Sequence, residues 1–192
     1  MTIKKKAREK PARPPGDSQL YSTAIHEAGH LVLALRLGLH VDEVSIVPRG
    51  RIAGYVSLFH DDLAREAREA QGPEAWFRAK LLMHLAGPAA EGLHCGGFDA
   101  KASSSDFARA REMIKHLSVV GDSFPRSMSR RQLDDYVSGY YHHVVVPMLS
   151  DAACWQQVVE VADRLMIDRK LRFDRSSWIN DQILAQQTPR CR

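Results

Sequence analysis

The stretch His26-Glu27-Ala28-Gly29-His30 constrains this chain more than any other. Two imidazoles four residues apart share a face only on a helix, where positions i and i+4 lie one turn apart and both rings can point at one ion. The surrounding residues 17–37 carry an amphipathic helical pattern, and Gly38 follows as a natural C-terminal stop. Neutral imidazole suits Zn²⁺. Glu27 sits beside the pair and can reach a water on such an ion without being a ligand. Zinc brings the pKa of that water to around 7, so a neighbouring carboxylate can take its proton during attack on a carbonyl and return it to the leaving amine. Ala28 and Gly29 are small enough to let another backbone approach. Gly29 costs about 1 kcal/mol of helix propensity relative to Ala, so a packing or functional reason for it is expected.

Two histidines leave a catalytic zinc one protein ligand short. By chemistry alone Asp99, Asp106, Glu91, His94, His84 and His116 are all conceivable third ligands. The longer H-E-x-x-H-x-x-G-x-x-H pattern does not extend here, because Leu33 and Arg36 stand where its Gly and His would be. His142 and His143 are adjacent and diverge by about 100° on a helix, a poor metal pair. Cys95, in a Gly-rich stretch, reads as an inert thiol rather than a ligand or nucleophile.

A chain of 192 residues with 44% hydrophobic content suffices for one compact domain with a core. Its net charge of +4 raises the question of a nucleic-acid or membrane partner. Position answers it. Lys4, Lys5, Lys6, Arg8, Lys10 and Arg13 against Glu9 put +5 on residues 1–16 and leave −1 on the rest, so the basic balance belongs to a tail. No nucleic-acid partner is expected. Cys95, Cys154 and Cys191 are an odd set without short spacing, which argues against a disulfide framework and fits a reducing, cytoplasmic compartment. Neither a signal peptide nor a transmembrane segment is evident.

Residues 1–16 read as a basic flexible tail, 17–187 as a single domain and 188–192 as a C-terminal tail. Val44, Ile46 and Pro48 alternate with Glu43, Ser45 and Val47, Pro48-Arg49-Gly50 is turn chemistry, and residues 53–59 read as a second strand, together a β-hairpin. Residues 61–72 are charged and read as a loop or short helix. Pro73 opens a helix that Gly87-Pro88 should kink or break, and residues 92–97 read as a loop. A further helix starts near residues 103–105. Helices follow over 130–149, with a break at Pro147, and over 152–168, and Asp174 caps a short last one. The fold class is therefore mainly α with a small β-hairpin or sheet.

Four ordered segments resemble one family. Ala24-Ile25-His26-Glu27-Ala28-Gly29-His30-Leu31-Val32, the strand and turn from Val44 through Pro48-Arg49-Gly50 to Gly54-Tyr55, Leu85-Ala86-Gly87-Pro88-Ala89-Ala90-Glu91, and Ala102-Ser103-Ser104-Ser105-Asp106-Phe107-Ala108-Arg109-Ala110 are similar to motifs of the FtsH peptidase domain, from the membrane-bound AAA ATP-dependent zinc proteases. The resemblance spans about residues 20–185 and is weak after 120. It implies a zincin-type fold built on the HExxH helix, with Zn²⁺ held by His26, His30 and Asp106 and Glu27 as the catalytic base. On its residues alone, Ser103-x-x-Asp106 reads as a helix-capping arrangement. Glu91 reads as a carboxylate supporting the site. The second strand, with Gly54, Tyr55 and Val56, is a candidate to hold an extended substrate by backbone hydrogen bonds.

The chain departs from the family in lacking a G-x-x-x-x-G-K-[ST] phosphate loop and membrane segments, in having Pro88 for the Arg after the family's Gly-Gly, and in having Gly92 for the acid after Glu91. The expected activity is that of a zinc-dependent endopeptidase on unfolded or flexible polypeptides. A separate ATPase or adaptor, or a second copy of the chain, are candidate partners. The alternatives are a zinc-binding pseudo-peptidase that acts as a protein-interaction or regulatory module, and a nucleic-acid binder that uses the basic arm.

Overall fold

The computed structural model describes residues 15–50, 52–59, 69, 72–121 and 123–173. The two tails, most of 61–72, and the helix expected from Asp174 lie outside the described residues. Helix α1 (Pro15–Arg36) is the centre of the molecule. From Leu31 to Leu35 every residue is buried, so over this turn the expected amphipathic pattern gives way to burial on all sides. It packs against α2 (Pro73–Cys95) on one side and α6 (Ala152–Asp168) on another. Gly38, at φ 74°, ends the segment as expected.

The close approach anticipated at Gly29 is the α1–α2 crossing. A Cβ there would lie 2.6 Å from the Ala86 carbonyl oxygen and from the Ala90 Cβ. Helix α2 runs unbroken through Gly87-Pro88 and on to Cys95, where Gly96 closes it in the left-handed conformation, φ 76°. Both the break expected at Pro88 and the loop expected over 92–97 are thus corrected. An interior proline costs about 3 kcal/mol, but Ala86, Gly87, Pro88, Ala89 and Ala90 are all buried against the core, and that packing holds the helix together. Helix α3 (Ser104–Val120) lies along α2. Helix α4 (Arg130–Tyr140) begins with a Ser129/Gln132 capping box. It passes through a π-helical turn (Tyr141–Val145) into the short α5 (Val146–Ser150). The wide turn answers the missing N–H of Pro147, so the expected break becomes a π-bulge. Among the described residues no helix is long and apolar enough to cross a membrane.

The sheet has three strands, not two: β1 (Val41–Ser45) lies between β2 (Tyr55–Leu58) and β3 (Lys170–Arg172), antiparallel to both. The expected alternation along β1 fails because Glu43 and Ser45 are buried as well as Val44. Glu43 accepts a hydrogen bond from the Tyr55 hydroxyl, and its two carboxylate oxygens lie 3.0 Å from Lys170 Nζ and 2.9 Å from Arg172 Nε. One carboxylate therefore ties all three strands. The Tyr55 bond holds its carboxyl down most, burial opposes, and Arg172 and Lys170 lower it further, to about 2 from an ordinary 4.5. A carboxyl whose folded pKa is depressed stabilises the fold above its unfolded value and loses that contribution as pH falls. Glu43→Gln is expected to cost on the order of 1–2 kcal/mol at neutral pH. In chemical denaturation, the gap to wild type should close between pH 4.5 and about 2.

Candidate metal centre

Three helices meet where α1 carries His26 and His30, α2 offers Gly87, and α3 brings Asp106. The ligand atoms of His26, His30 and Asp106 all lie within 4.8 Å of one another, the one such group among the described residues. His30 Nε2 is 3.2 Å from His26 Nε2, and the Asp106 oxygens lie 3.2 Å from His26 Nε2 and 3.6 Å from His30 Nε2.

The tautomers follow from the outer partners. The Met83 carbonyl, 2.7 Å from His30 Nδ1, can only accept, so that nitrogen carries the proton and Nε2 presents its lone pair inward. A Glu91 carboxylate oxygen 3.1 Å from His26 Nδ1 fixes the second ring in the same sense. Two imidazole nitrogens and one carboxylate oxygen are a donor set that zinc accepts. Room for it comes from Gly87: a Cβ there would stand 2.3 Å from His30 Nε2 and 2.6 Å from His26 Nε2.

Electrostatics separate the roles. Burial works to lower His26, but its hydrogen bonds to the Asp106 and Glu91 carboxylates and the charge of Glu27 outweigh it and push the ring up to about 10. Burial would raise Asp106, and His30 and His26 overcome it and hold its carboxyl below the usual range. A divalent ion taking these lone pairs must displace protons, so its affinity falls with pH. Glu27 is 6% exposed and outside the ligand triad, and burial raises its carboxyl against the pull of His30 and His26.

A cleft of about 560 Å³ opens over the triad and is lined by Glu27, Gly54, Tyr55, Val56, His84 and Arg109 among others. Among the described residues β2 pairs only with β1, so it is the sheet's edge on the cleft. A Cβ at Gly54 would come 2.6 Å from Glu27 Oε1, which places the strand's backbone against that carboxylate.

The capping role read for Ser103 and Asp106 is corrected. Ser103 is the N-cap of α3 without a side-chain bond, and its buried Oγ has no partner among the described residues: the Asp106 amide bonds the Ser103 carbonyl, and the Asp106 carboxylate turns toward the histidines. Of the other third-ligand candidates, Asp99 bonds the amides of Lys101 and Ala102, His94 packs on Tyr21, and His116 stacks on Phe77. Cys95 is exposed, 3.6 Å from Ser22 Oγ, and His142 and His143 are exposed in the π-turn. Sequence reasoning missed the contacts of Gly87 and Gly54 and the anchoring of His30 by Met83. No local signal marks any of them.

Comparison with known proteins places the sequence in a family. The family model for peptidase family M41 matches residues 16–123. The ATP-dependent zinc metalloprotease FtsH of Chloroflexus aggregans is 31% identical over 99 residues, covering 50% of this chain and 14% of that protein. The ATP-dependent zinc metalloprotease FtsH of Mycoplasmopsis pulmonis is 27% identical over 111 residues, 56% of this chain and 15% of that protein. The matched stretch is thus a small part of the relatives' length. The family-model match over residues 16–123 contains all four of His26, Glu27, His30 and Asp106, and on that match the chain belongs to peptidase family M41.

Proposed function

We propose that the chain is a zinc-dependent endopeptidase acting on unfolded or flexible polypeptides. The observation that carries this reading is the buried Glu27 carboxylate beside a converging His26–His30–Asp106 triad, with a strand edge at the same point. His26, His30 and Asp106 would hold the ion. Bound zinc would supply Lewis-acid polarisation of the scissile carbonyl and make a water acidic enough to attack near neutral pH.

The chain's own residues do the rest. Glu27 takes the proton as the water oxygen bonds to the carbonyl carbon. It holds that proton in its buried setting and delivers it to the amide nitrogen as the C–N bond breaks. Met83 and Glu91 keep both rings in the working tautomer. An extended substrate would add to β2 through backbone hydrogen bonds, with Gly54 bringing it close to Glu27. A folded protein has no such strand to offer and would first have to be unfolded.

Removing the metal tests the reading. Dialysis of the protein against a chelator should abolish cleavage of an unfolded, fluorescently labelled protein, and one equivalent of zinc should restore it. Zinc binding without cleavage of any unfolded substrate would instead leave the chain a metal-binding interaction module.

A further inference from the structure

Along α2, Lys80, His84, Gly87 and Glu91 follow at spacings of four, three and four, and so share one face. Gly87 marks the triad, Glu91 lies toward Asp99, whose amide donates to it, and Lys80 and His84 lie the other way. On α3, the exposed Arg109 stands one turn beyond Asp106 and lines the same cleft as His84, close enough for its charge to act on that ring. Two basic side chains of the cleft lining, His84 and Arg109, therefore lie beside the triad away from Glu91, with Lys80 close behind them but outside the lining.

Those three groups have no acidic partner of their own. His84 is 6% exposed, lines the cleft and makes no hydrogen bond among the described residues. Arg109 makes no ion pair among them. Lys80, half-buried over the Trp76 ring at 4.5 Å, makes none either. The Asp106 carboxylate, whose charge reaches His84, is engaged by His26 and His30. Burial, and then the neighbouring His30, Arg109 and Lys80, lower His84 to about 3, so it stands as a neutral imidazole, while Arg109 and Lys80 are like charges that repel one another. The proximity shows in Lys80, whose ammonium is lowered by burial and then by Arg109. An unpartnered buried imidazole beside a free guanidinium is a complete set of donors for one anion, and guanidinium matches carboxylate in a paired geometry.

We propose that His84 and Arg109, with the charge of Lys80 behind them, form a carboxylate-binding subsite that selects polypeptides with an acidic side chain or a free C-terminal carboxylate on that side of the scissile bond. The proposal rests on the peptidase reading for the identity of the ligand as a polypeptide. It adds which polypeptides bind best.

The test uses amidated fluorogenic peptides with one Glu or Gln walked across three positions on either side of the cleaved bond. A second set compares free and amidated C-termini. Wild type should favour Glu over Gln at one position by about fivefold to tenfold in kcat/KM, through KM, the size of a partly exposed charge-assisted pair. A gain confined to free C-termini would identify the terminal carboxylate as the source. Arg109→Gln should bring the ratio to near one, and Arg109→Glu should turn the preference toward Lys. Binding of the same peptides to Glu27→Gln protein, read by anisotropy, should show the same ratios without turnover. Ratios near one in both assays for every position and both termini would overturn the subsite. So would a His84→Gln variant that lowers kcat equally for Glu and Gln peptides with KM unchanged. Charge-selective binding that Arg109→Gln removes, with no peptide cleaved, would keep the subsite and sink the peptidase reading.

Discussion

Glu27→Gln should reduce peptide cleavage by about 10²- to 10⁴-fold, the range of a lost proton carrier, with zinc stoichiometry unchanged. Glu27 lies outside the group whose ligand atoms converge, so removing its charge takes no donor from the ion. Gln has the same shape. It therefore fits against Gly54, where a single added Cβ would stand 2.6 Å from the carboxylate. Burial raises the Glu27 carboxyl, so a neutral amide is at least as well tolerated in the fold. The variant should melt no lower than wild type, bind zinc equally by calorimetry, and hold peptides without cutting them. Activity within twofold of wild type would remove Glu27 from the chemistry.

The second large effect belongs to a residue that donates nothing. Gly87→Ala adds one methyl group, and it would arrive 2.3 Å from His30 Nε2 and 2.6 Å from His26 Nε2. Neither ring can simply move aside: His30 is held by the Met83 carbonyl and His26 by Glu91. Alanine favours helix over glycine by about 1 kcal/mol, so α2 itself should not suffer. The expected result is a folded protein whose zinc affinity has fallen by at least about 100-fold, beyond the usual loss from disturbing groups behind the ligands. Titration of zinc against a competing chromophoric chelator measures it. Unchanged affinity would mean that the rings do not meet the ion where Gly87 lies.

Legibility in the sequence followed distance along the chain. His26 and His30 are one helical turn apart, so their spacing alone carries the geometry, and Glu27 comes with them. Asp106 was reachable only through the family resemblance, because its neighbours spell a helix cap that the folded chain does not form. Gly87 looks like a helix breaker, and Gly54 like one residue of a substrate-holding strand with no sign of its contact with Glu27. Their function lies in which side chains press against them, and that is a property of helix crossings. Pro88 signalled a break that buried packing overrides. β3 is three residues long and follows directly on α6, too short for any period to show, and without it the burial of Glu43 had no explanation. Local chemistry was thus readable, and contacts between distant elements were not.

The most direct test of the metal centre is diffraction from zinc-loaded crystals on both sides of the zinc absorption edge. The expected result is one strong anomalous peak about 2 Å from His26 Nε2, His30 Nε2 and an Asp106 oxygen, with Glu27 beside it and uncoordinated. A peak held by other residues, or none at these three, would contradict the account.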